Sequence, residues 1–307
     1  MAQKVLIAGA TGLLGTALAA SCARDGLTVA ALVRPSTLGR AAAALPGVTL
    51  HAWDGTQGAP PPDAFEGVDF VVNLMGEPIG ARRWSDVQKV RLRLSRIATT
   101  RALVEGLRAR DKRPRALVQA SGTGFYGDRG DDVLTEASPV GTGFLAELSR
   151  DWEAEAQQAA ALGVRVVLLR SGLVLARAGG FLGKLLPLFR LGLGGHIGTG
   201  KQWLPWIHLD DEIGIIRRAL ATESVSGPLN AVAPEPVTNL EFTTALGRAL
   251  HRPTVMAAPA FALRVALGGE MTHELLLASQ RAMPVRTLDA GYDYRHPLLE
   301  PALRDLV

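Results

Sequence analysis

The fold of this chain is decided by residues 4–15, KVLIAGATGLLG. The apolar run Val5–Ala8 predicts a buried strand, and three glycines at three-residue spacing follow it. The next residues, Thr16–Asp25, predict a helix. A strand, a glycine-rich turn and a helix N-terminus together form a cradle for pyrophosphate, because the turn brings backbone amides close to the anion and the helix dipole favours it.

The surroundings of the glycine triplet make it informative. Isolated triplets are weak evidence, but here the triplet follows a strand and opens a helix, as a dinucleotide site requires. The alternative is a tight turn that binds no ligand. The residues predicted to hold a cofactor at this turn are Gly9, Thr11, Gly12, Leu13, Leu14 and Gly15.

Composition limits the class of protein. The chain has 307 residues, of which 48% are hydrophobic and 20% charged, and these values predict a globular protein. The first apolar segment ends at Gly9, so we expect a core strand there and no signal peptide. No apolar run is long enough to span a membrane. The single Cys22 fits a reducing compartment, and we predict a cytoplasmic protein.

The charge balance argues against a nucleic-acid partner. The chain carries 33 basic and 29 acidic residues, a net charge of +4, which is too mixed for a general nucleic-acid binder. The expected partner is therefore a small-molecule substrate, and a homodimer is left open. The six histidines show no close ligand spacing and lack a cysteine set, so we predict no metal.

Strand and helix signals alternate through the first half of the chain. Strands are predicted over Thr28–Val33 and Asp69–Met75, and a long helix from Ser85 to about Arg110. Repeated strand–helix–strand units predict an α/β fold of the Rossmann type, with a doubly wound parallel sheet. Later helices are predicted over Asn239–Leu250 and Glu270–Arg281.

The pattern loosens after residue 170, where glycines punctuate the chain. We therefore assign residues 1–170 to a nucleotide-binding domain, with a return segment at about 206–235. Residues 171–205 and 236–307 are assigned to a smaller, interleaved substrate region. No low-complexity linker separates the two parts.

The residue after the second strand indicates which dinucleotide binds. An acid there would bind the ribose hydroxyls, whereas an arginine pairs with the 2′-phosphate of NADP. Arg34 stands at this position and Ser36 adds a hydroxyl, so we predict NADP(H). The alternative is a solvated surface arginine. Asp54, after the third strand, is assigned to the adenine edge or to a turn.

Four segments resemble the extended short-chain dehydrogenase/reductase superfamily, the NAD-dependent epimerase/dehydratase group. They are Gly9–Gly15, Asp69–Gly76, Ser121–Gly127 and Trp206–Asp211. The chain is most similar to an atypical, epimerase-like branch of poorly defined activity, through segments such as Gly76–Ile79 and Asp151–Glu153. The resemblance implies that Leu74, Gly76 and Ser121 also lie along the cofactor.

The proton relay of typical family members is missing. Those proteins use a tyrosine as general acid/base and a lysine four residues later. The tyrosines here are Tyr126, Tyr292 and Tyr294, and four residues on stand Gly130, His296 and Leu298. Where the resemblance places the pair, the chain has Leu145 and Ser149. Arg96 replaces the family's helix asparagine.

The remaining candidates for catalysis are Ser121, Tyr126 and Arg96. Ser121 orients a carbonyl or caps its strand, and Tyr126 supplies a phenol or packs beside the cleft. Arg96 fills the vacated relay space or binds an acidic substrate, whereas a solvated helix face better explains Arg91 and Arg101 on the same helix. Substrate contacts are predicted from Glu77, Trp203, Trp206 and His208, although surface and core roles explain these residues equally well.

These observations predict an NADP(H)-binding, epimerase-like oxidoreductase. Its substrate would be a small carbonyl, hydroxyl or sugar-like compound, and its proton donor non-standard. The alternative function is a non-catalytic, NADPH-sensing binding protein, which the missing relay favours. A nucleic-acid role through the arginine-bearing helix is a more distant alternative.

Overall fold

Seven parallel strands form a central sheet with helices on both faces. The structure, a computed structural model, describes residues 2–177 and 179–307. The strands are β1 (Lys4–Ala8), β2 (Thr28–Val33), β3 (Thr49–Ala52), β4 (Phe70–Asn73), β5 (Ala116–Gly122), β6 (Val133–Leu134), β7 (Arg165–Ser171), β8 (Leu173–Leu175), β9 (Gly195–Ile197), β10 (Trp203–Leu204), β11 (Trp206–His208), β12 (Gly227–Ala231), β13 (Val237–Thr238), β14 (Met256–Ala258) and β15 (Arg281–Ala282).

The helices alternate with the sheet strands in the first half and dominate the second. They are α1 (Leu13–Arg24), α2 (Leu38–Ala44), α3 (Asp86–Arg93), α4 (Thr99–Arg108), α5 (Phe144–Gln157), α6 (Gly180–Arg190), α7 (Leu209–Ala221), α8 (Asn239–Leu250), α9 (Ala260–Leu267), α10 (Gly269–Thr272), α11 (Val285–Asp289) and α12 (Leu299–Leu306). Two segments form π-helical turns, Leu94–Ala98 and His273–Leu277.

The order of the central sheet is β12-β7-β5-β4-β1-β2-β3. The chain runs outward from β1 to one edge and then returns to build the other half from β4. The strand order therefore reverses between β1 and β4, and ligands of doubly wound sheets bind at that switch point. The predicted fold class is confirmed.

Successive residues of β1 belong to opposite faces of the sheet. Val5 and Ile7 pack into one hydrophobic cluster with α1 and α7, whereas Leu6 and Ala8 pack into a second cluster with α4. All four side chains are fully buried. A parallel strand covered by helices on both faces has this near-continuous apolar sequence, which is why residues 5–8 contain no polar side chain.

A third hydrophobic cluster contains no residue of the central sheet. It combines residues of α6, α8 and α12 with strands β8 and β11, and Trp206, Phe242 and Leu303 are among its fully buried members. The division of the chain into two domains at the boundaries given above stays a prediction.

The predicted helix over Glu270–Arg281 is present, but its predicted end is wrong. The chain is helical only to Leu277, and residues 278–280 are extended before β15 pairs with β6. Tertiary hydrogen bonds hold the extended backbone: the Ser279 amide donates to Asp128 Oδ1 (3.1 Å), and the Gln280 amide donates to the Trp203 carbonyl (3.2 Å). These contacts outweigh local helix propensity.

Candidate functional site

The glycine turn lies between β1 and α1. Gly12 is the N-cap of α1, its amide donates to the Gly9 carbonyl (3.1 Å), and the first turn of the helix contains no acidic residue. The first amides of a helix have no partner within it and carry the positive end of the dipole. Thr11 and Gly12 are exposed, and Leu13 and Leu14 are half-buried. The turn thus presents an uncompensated anion cradle at its surface.

The glycines of this turn differ in the space around them. A Cβ on Gly15 would lie 2.3 Å from the Gly9 carbonyl oxygen and 2.6 Å from Ala10 Cα, so Gly15 lets α1 pack against the end of β1. A Cβ on Gly12 would meet only the Gly9 oxygen, at 3.4 Å. The protein itself leaves room at Gly12, and a ligand that approaches the backbone there would use that room.

The end of β4 closes one side of the turn. The Leu74 amide donates to the Ala8 carbonyl (2.9 Å), and a Cβ on Gly9, whose φ is +84°, would lie 2.9 Å from the Leu74 carbonyl carbon. Leu74 is half-buried and Gly76 is exposed. The residues predicted along the cofactor from β1 and β4 are therefore neighbours.

Arg34 follows β2, which pairs with β1 through Leu32 and Ala8. This register brings Arg34 to the same edge of the sheet as the glycine turn. Arg34 and Ser36 are exposed. Asp54 is farther out, beyond β3, and its carboxylate accepts hydrogen bonds from the amides of Thr56 (2.8 Å) and Gln57 (3.1 Å), which lower its pKa. Asp54 thus closes its own turn.

A cavity of about 260 Å³ opens beyond the carboxyl ends of β5 and β7. Ser121 and Ser171 stand at those two strand ends, where Ser121 pairs with Arg170 in the sheet register. A smaller cavity of about 160 Å³ shares Leu145 and Glu274 with it. Clefts at this edge of a parallel sheet bind the ligands of doubly wound folds.

The cavity wall contains the positions of the missing relay. Leu145 and Ser149, where the resemblance places tyrosine and lysine, both line it, and so does Arg96. The Arg96 guanidinium stacks on the Trp152 ring, with Cζ 5.1 Å from the ring centroid. Burial lowers the Arg96 pKa to about 10, although the Glu77 carboxylate opposes this shift. Arg96 therefore lies on the cavity wall.

Ser121 belongs to a buried polar network. Its hydroxyl donates to Glu153 Oε1 (2.6 Å), and both carboxylate oxygens of Glu153 accept from Arg170 at 2.9 Å. Arg170 also donates to the Tyr126 hydroxyl (3.1 Å), which itself donates to Asn230 Oδ1 (2.6 Å). The network fixes the Ser121 side chain at the cavity edge.

The structure does not place Tyr126 in the cavity. Its side chain is fully buried, and that burial raises its pKa despite the nearby Arg170 guanidinium. A phenol with a raised pKa and both hydrogen-bonding directions occupied is poorly suited to proton transfer. We therefore assign Tyr126 to the structural network, which was the packing alternative.

Ser171 and Glu212 form a pair that the sequence reasoning missed. The Ser171 hydroxyl lies 2.5 Å from Glu212 Oε1, and Glu212, in the first turn of α7, is fully buried. Burial raises the Glu212 pKa to about 8, and the Ser171 hydrogen bond only partly opposes this. The carboxyl is thus protonated at neutral pH. The only sequence signal for Glu212 was its position directly after Asp210 and Asp211.

Glu212→Gln is expected to stabilise the protein at alkaline pH. The unfolded glutamic acid ionises near pH 4.5, whereas the folded one ionises near pH 8, so the unfolded state binds fewer protons between these values and stability falls as pH rises. The variant removes this loss. Melting temperatures should agree near pH 5 and favour the variant near pH 9; a difference that does not change with pH would contradict the assignment.

The four predicted substrate residues separate. Trp203 lines the cavity, and its indole N–H donates to Asp131 (2.9 Å). Glu77 lies outside the cavity lining and accepts from Gln88 Nε2 (2.9 Å). Trp206 lies in the third hydrophobic cluster, is 1% exposed, and donates its indole N–H to the Glu235 carbonyl. A side chain buried in this way has no surface for a substrate, so Trp206 is a core residue.

His208 is likewise buried away from the cavity. Its Nδ1 accepts from the Asp210 amide (3.1 Å), which makes His208 the N-cap of α7, and burial lowers its pKa. Its ring stacks on His296 at 3.7 Å, and the potential ligand atoms of His208, His296 and Asp210 lie within 4.8 Å of one another. Nδ1 is already an acceptor, so the proton of the neutral ring is on Nε2 and blocks that nitrogen as a ligand.

The C-terminal segment forms part of the cavity wall and is hydrogen-bonded to α7. Both carboxylate oxygens of Glu274 accept from the first amides of α5, Phe144 (2.9 Å) and Leu145 (2.7 Å), at the cavity wall. The buried Asp211 accepts from the Tyr292 hydroxyl (2.9 Å) and from the amide of His296 (2.9 Å). Residues distant in sequence thus complete the cavity and attach the segment to α7.

Comparison with known proteins now gives the family. The model described as NAD dependent epimerase/dehydratase family matches residues 5–231. The chain belongs to this family. A second model, a domain of unknown function (DUF1731), matches residues 258–306, the segment that contributes Glu274 and Tyr292.

Relatives of similar length share the epimerase-family description. Epimerase family protein MT2273 of Mycobacterium tuberculosis is 44% identical over 299 residues, which are 97% of this chain and 96% of that one. Human epimerase family protein SDR39U1 is 37% identical over 308 residues, covering 99% of this chain and all of the human protein. The epimerase-like branch that the motifs predicted is confirmed.

Solved structures agree with the fold. The crystal structure of human SDR39U1 (isoform 2) with NADPH has a TM-score of 0.87, at 35% identity over 99% of both chains. A UDP-glucuronic acid 4-epimerase from Bacillus cereus in complex with UDP-glucuronic acid and NAD has a TM-score of 0.78 at 17% identity, a likeness of fold alone. Among residues 2–177 and 179–307, no helix combines the length and apolar character needed to cross a membrane.

Proposed function

We propose that this epimerase-family protein binds NADP(H) at the glycine turn and acts as an oxidoreductase on a small carbonyl or hydroxyl compound. The observation that carries the proposal is the open backbone at Gly12, at the N-terminus of α1, with Arg34 at the same sheet edge. The human relative of 35% identity, crystallised with NADPH, supports it.

The residues present fit such a cofactor. Gly12 leaves space for pyrophosphate against the helix amides, and Arg34 offers an exposed guanidinium for a 2′-phosphate. The cavity at Ser121 and Ser171 lies at the same edge of the sheet, beyond the ends of β5 and β7. When bound, the cofactor supplies or accepts a hydride.

The protein would supply orientation and a proton. Ser121 and Ser171 present hydroxyls at the cavity edge, and each hydroxyl is hydrogen-bonded to a buried glutamate. The Ser171 hydroxyl donates to Glu212 Oε1, and Glu212 is protonated at neutral pH. In the proposed step this hydrogen bond reverses: Ser171 gives its proton to the carbonyl oxygen that is being reduced and takes the proton of Glu212, which is left as a carboxylate. This pair would take the place of the absent tyrosine and lysine.

A second candidate function is NADPH sensing without turnover. The positions of the standard relay are Leu145 and Ser149, both in the cavity wall, and neither can act as a general acid at neutral pH. A protein that lost its relay while keeping the cofactor turn could report the cofactor to a partner. Consumption of NADPH across a panel of carbonyl compounds distinguishes the two: tight binding with no consumption on any of them favours the sensor.

Arg34→Glu is expected to weaken NADPH binding by about 10- to 100-fold, because a charge-assisted contact of about 1.5–3 kcal/mol becomes a repulsion. NADH, which has no 2′-phosphate, should change by less than about threefold. Binding can be followed by the fluorescence of the reduced nicotinamide. The matched control is Arg40→Glu, because Arg40 is also exposed but lies farther along the chain, in α2. Equal losses for NADPH and NADH would refute the role of Arg34.

A further inference from the structure

Arg96 is a buried guanidinium on the wall of the cavity. It is 7% exposed, and its helix widens into a π-turn over Leu94–Ala98, the segment that carries it. The second π-turn, His273–Leu277, contributes Glu274 and Leu275 to the same cavity. A π-turn interrupts the regular geometry of an α-helix, and such turns occur often at functional sites. Both of those that the structure describes thus face one space.

The Arg96 guanidinium lacks a strong partner. Nε has no hydrogen-bond acceptor among residues 2–177 and 179–307, and Nη1 makes only long contacts of 3.4 Å to the Leu92 carbonyl and Ser95 Oγ. Within that part of the chain no carboxylate lies within ion-pair distance of it. The nearby Glu77 is instead hydrogen-bonded to Gln88.

A buried cation without an ion-pair partner is costly, and the Glu77 carboxylate acts on Arg96 only from beyond ion-pair distance, so the retention of Arg96 on a cavity wall indicates an anionic ligand. The acid on the cavity wall, Glu274, has both carboxylate oxygens hydrogen-bonded to the amides that start α5. The rest of the lining is largely apolar: Ile79, Leu145, Leu148, Trp152, Leu173 and Leu275. The apolar walls would pack against the hydrocarbon part of a ligand, and the guanidinium would bind its acidic group.

We propose that Arg96 is the anion-binding residue of the substrate site and that the substrate class is small organic acids, a carboxylate on an apolar body. This inference rests on the proposed function for the identity of the site as a substrate site. The same guanidinium could instead meet a phosphate of the cofactor, since the anionic chemistry is shared. The guanidinium lies against Gly76, where a Cβ would be 2.9 Å from Cζ, and over the Trp152 ring in the cavity wall, so the NADPH titrations of Arg96→Gln distinguish the two sources of the anion.

The test is calorimetric titration of acetate, hexanoate and benzoate, each beside its neutral amide, into the full-length protein with and without saturating NADPH. Variants are Arg96→Gln and, as the matched control, Arg91→Gln, an exposed arginine on the same helix. We expect at least one acid to bind the wild type about tenfold more tightly than its amide. Arg96→Gln should lose this preference and keep its NADPH affinity within about threefold.

Two outcomes would overturn the proposal. One is that no acid binds the wild type better than its amide, with or without NADPH. The other is that Arg96→Gln weakens NADPH itself by about tenfold or more, which assigns the guanidinium to a cofactor phosphate. If the wild type fails to bind NADPH, the proposed function fails, but the acid titrations without cofactor still show whether Arg96 holds an anion.

Discussion

Arg170→Met is expected to lower the free energy of unfolding by about 3–5 kcal/mol, because it leaves the Glu153 carboxylate buried without its partner. Arg170 donates to both oxygens of Glu153 at 2.9 Å, and the side chains of the pair are only 5% and 8% exposed. Its guanidinium also stacks on the Phe125 ring, with Cζ 3.5 Å from the centroid. Urea unfolding measures the loss.

Two controls separate this effect from the loss of any ion pair. Arg248→Met breaks the exposed pair with Glu300 and should cost less than about 1 kcal/mol. The double variant that also carries Glu153→Met removes the stranded charge and should recover part of the stability lost in Arg170→Met. If Arg170→Met costs no more than Arg248→Met, the network does not hold the site together as we describe.

Gly12→Ala is expected to weaken NADPH binding by about 100-fold, or about 2.7 kcal/mol, while the protein stays folded. The methyl group would occupy the space through which pyrophosphate reaches the backbone. Within the protein that methyl meets only the Gly9 oxygen at 3.4 Å, and Gly12 has a φ of −81° that alanine accepts. Loss of the N-cap glycine costs less than about 1 kcal/mol.

Gly15→Ala is the contrasting variant. Its Cβ would lie within 2.6 Å of backbone atoms of Gly9 and Ala10, so the helix must shift and folding should suffer. Circular dichroism and NADPH titration on both variants separate loss of ligand space from loss of packing. Gly12→Ala with wild-type NADPH affinity would contradict the placement of the cofactor at this turn.

The local parts of this structure were predictable. Strand β2 and helix α8 begin and end where the sequence predicts, at Thr28–Val33 and Asn239–Leu250, because apolar runs and flanking breakers define them. The glycine turn could also be predicted, because twelve consecutive residues contain the strand, the three glycines and the start of the helix. The helix predicted over Glu270–Arg281 ends earlier, at Leu277, because hydrogen bonds to Asp128 and Trp203, far away in sequence, hold residues 279 and 280 outside the helix.

Residues of the site could be predicted only where a local sequence motif or the family resemblance pointed to them. Ser121 and Arg96 were found through the resemblance, and both line the cavity. Their environment was not found, because pairs such as Glu153 with Arg170 and Ser171 with Glu212 join strands to helices across 17 and 41 residues. No periodicity or spacing reports contacts of that kind. For the same reason, the stacking of the His208 and His296 rings could not be predicted from the sequence.

Calorimetric titration of the purified protein with NADPH and, separately, NADH tests the cofactor assignment most directly. In the proposed site, the N-terminus of α1 and Arg34 together hold a dinucleotide that carries a 2′-phosphate. We expect saturable NADPH binding, at least about tenfold tighter than NADH binding. Absence of binding by either nucleotide at millimolar concentration, or equal affinity for both, would contradict it.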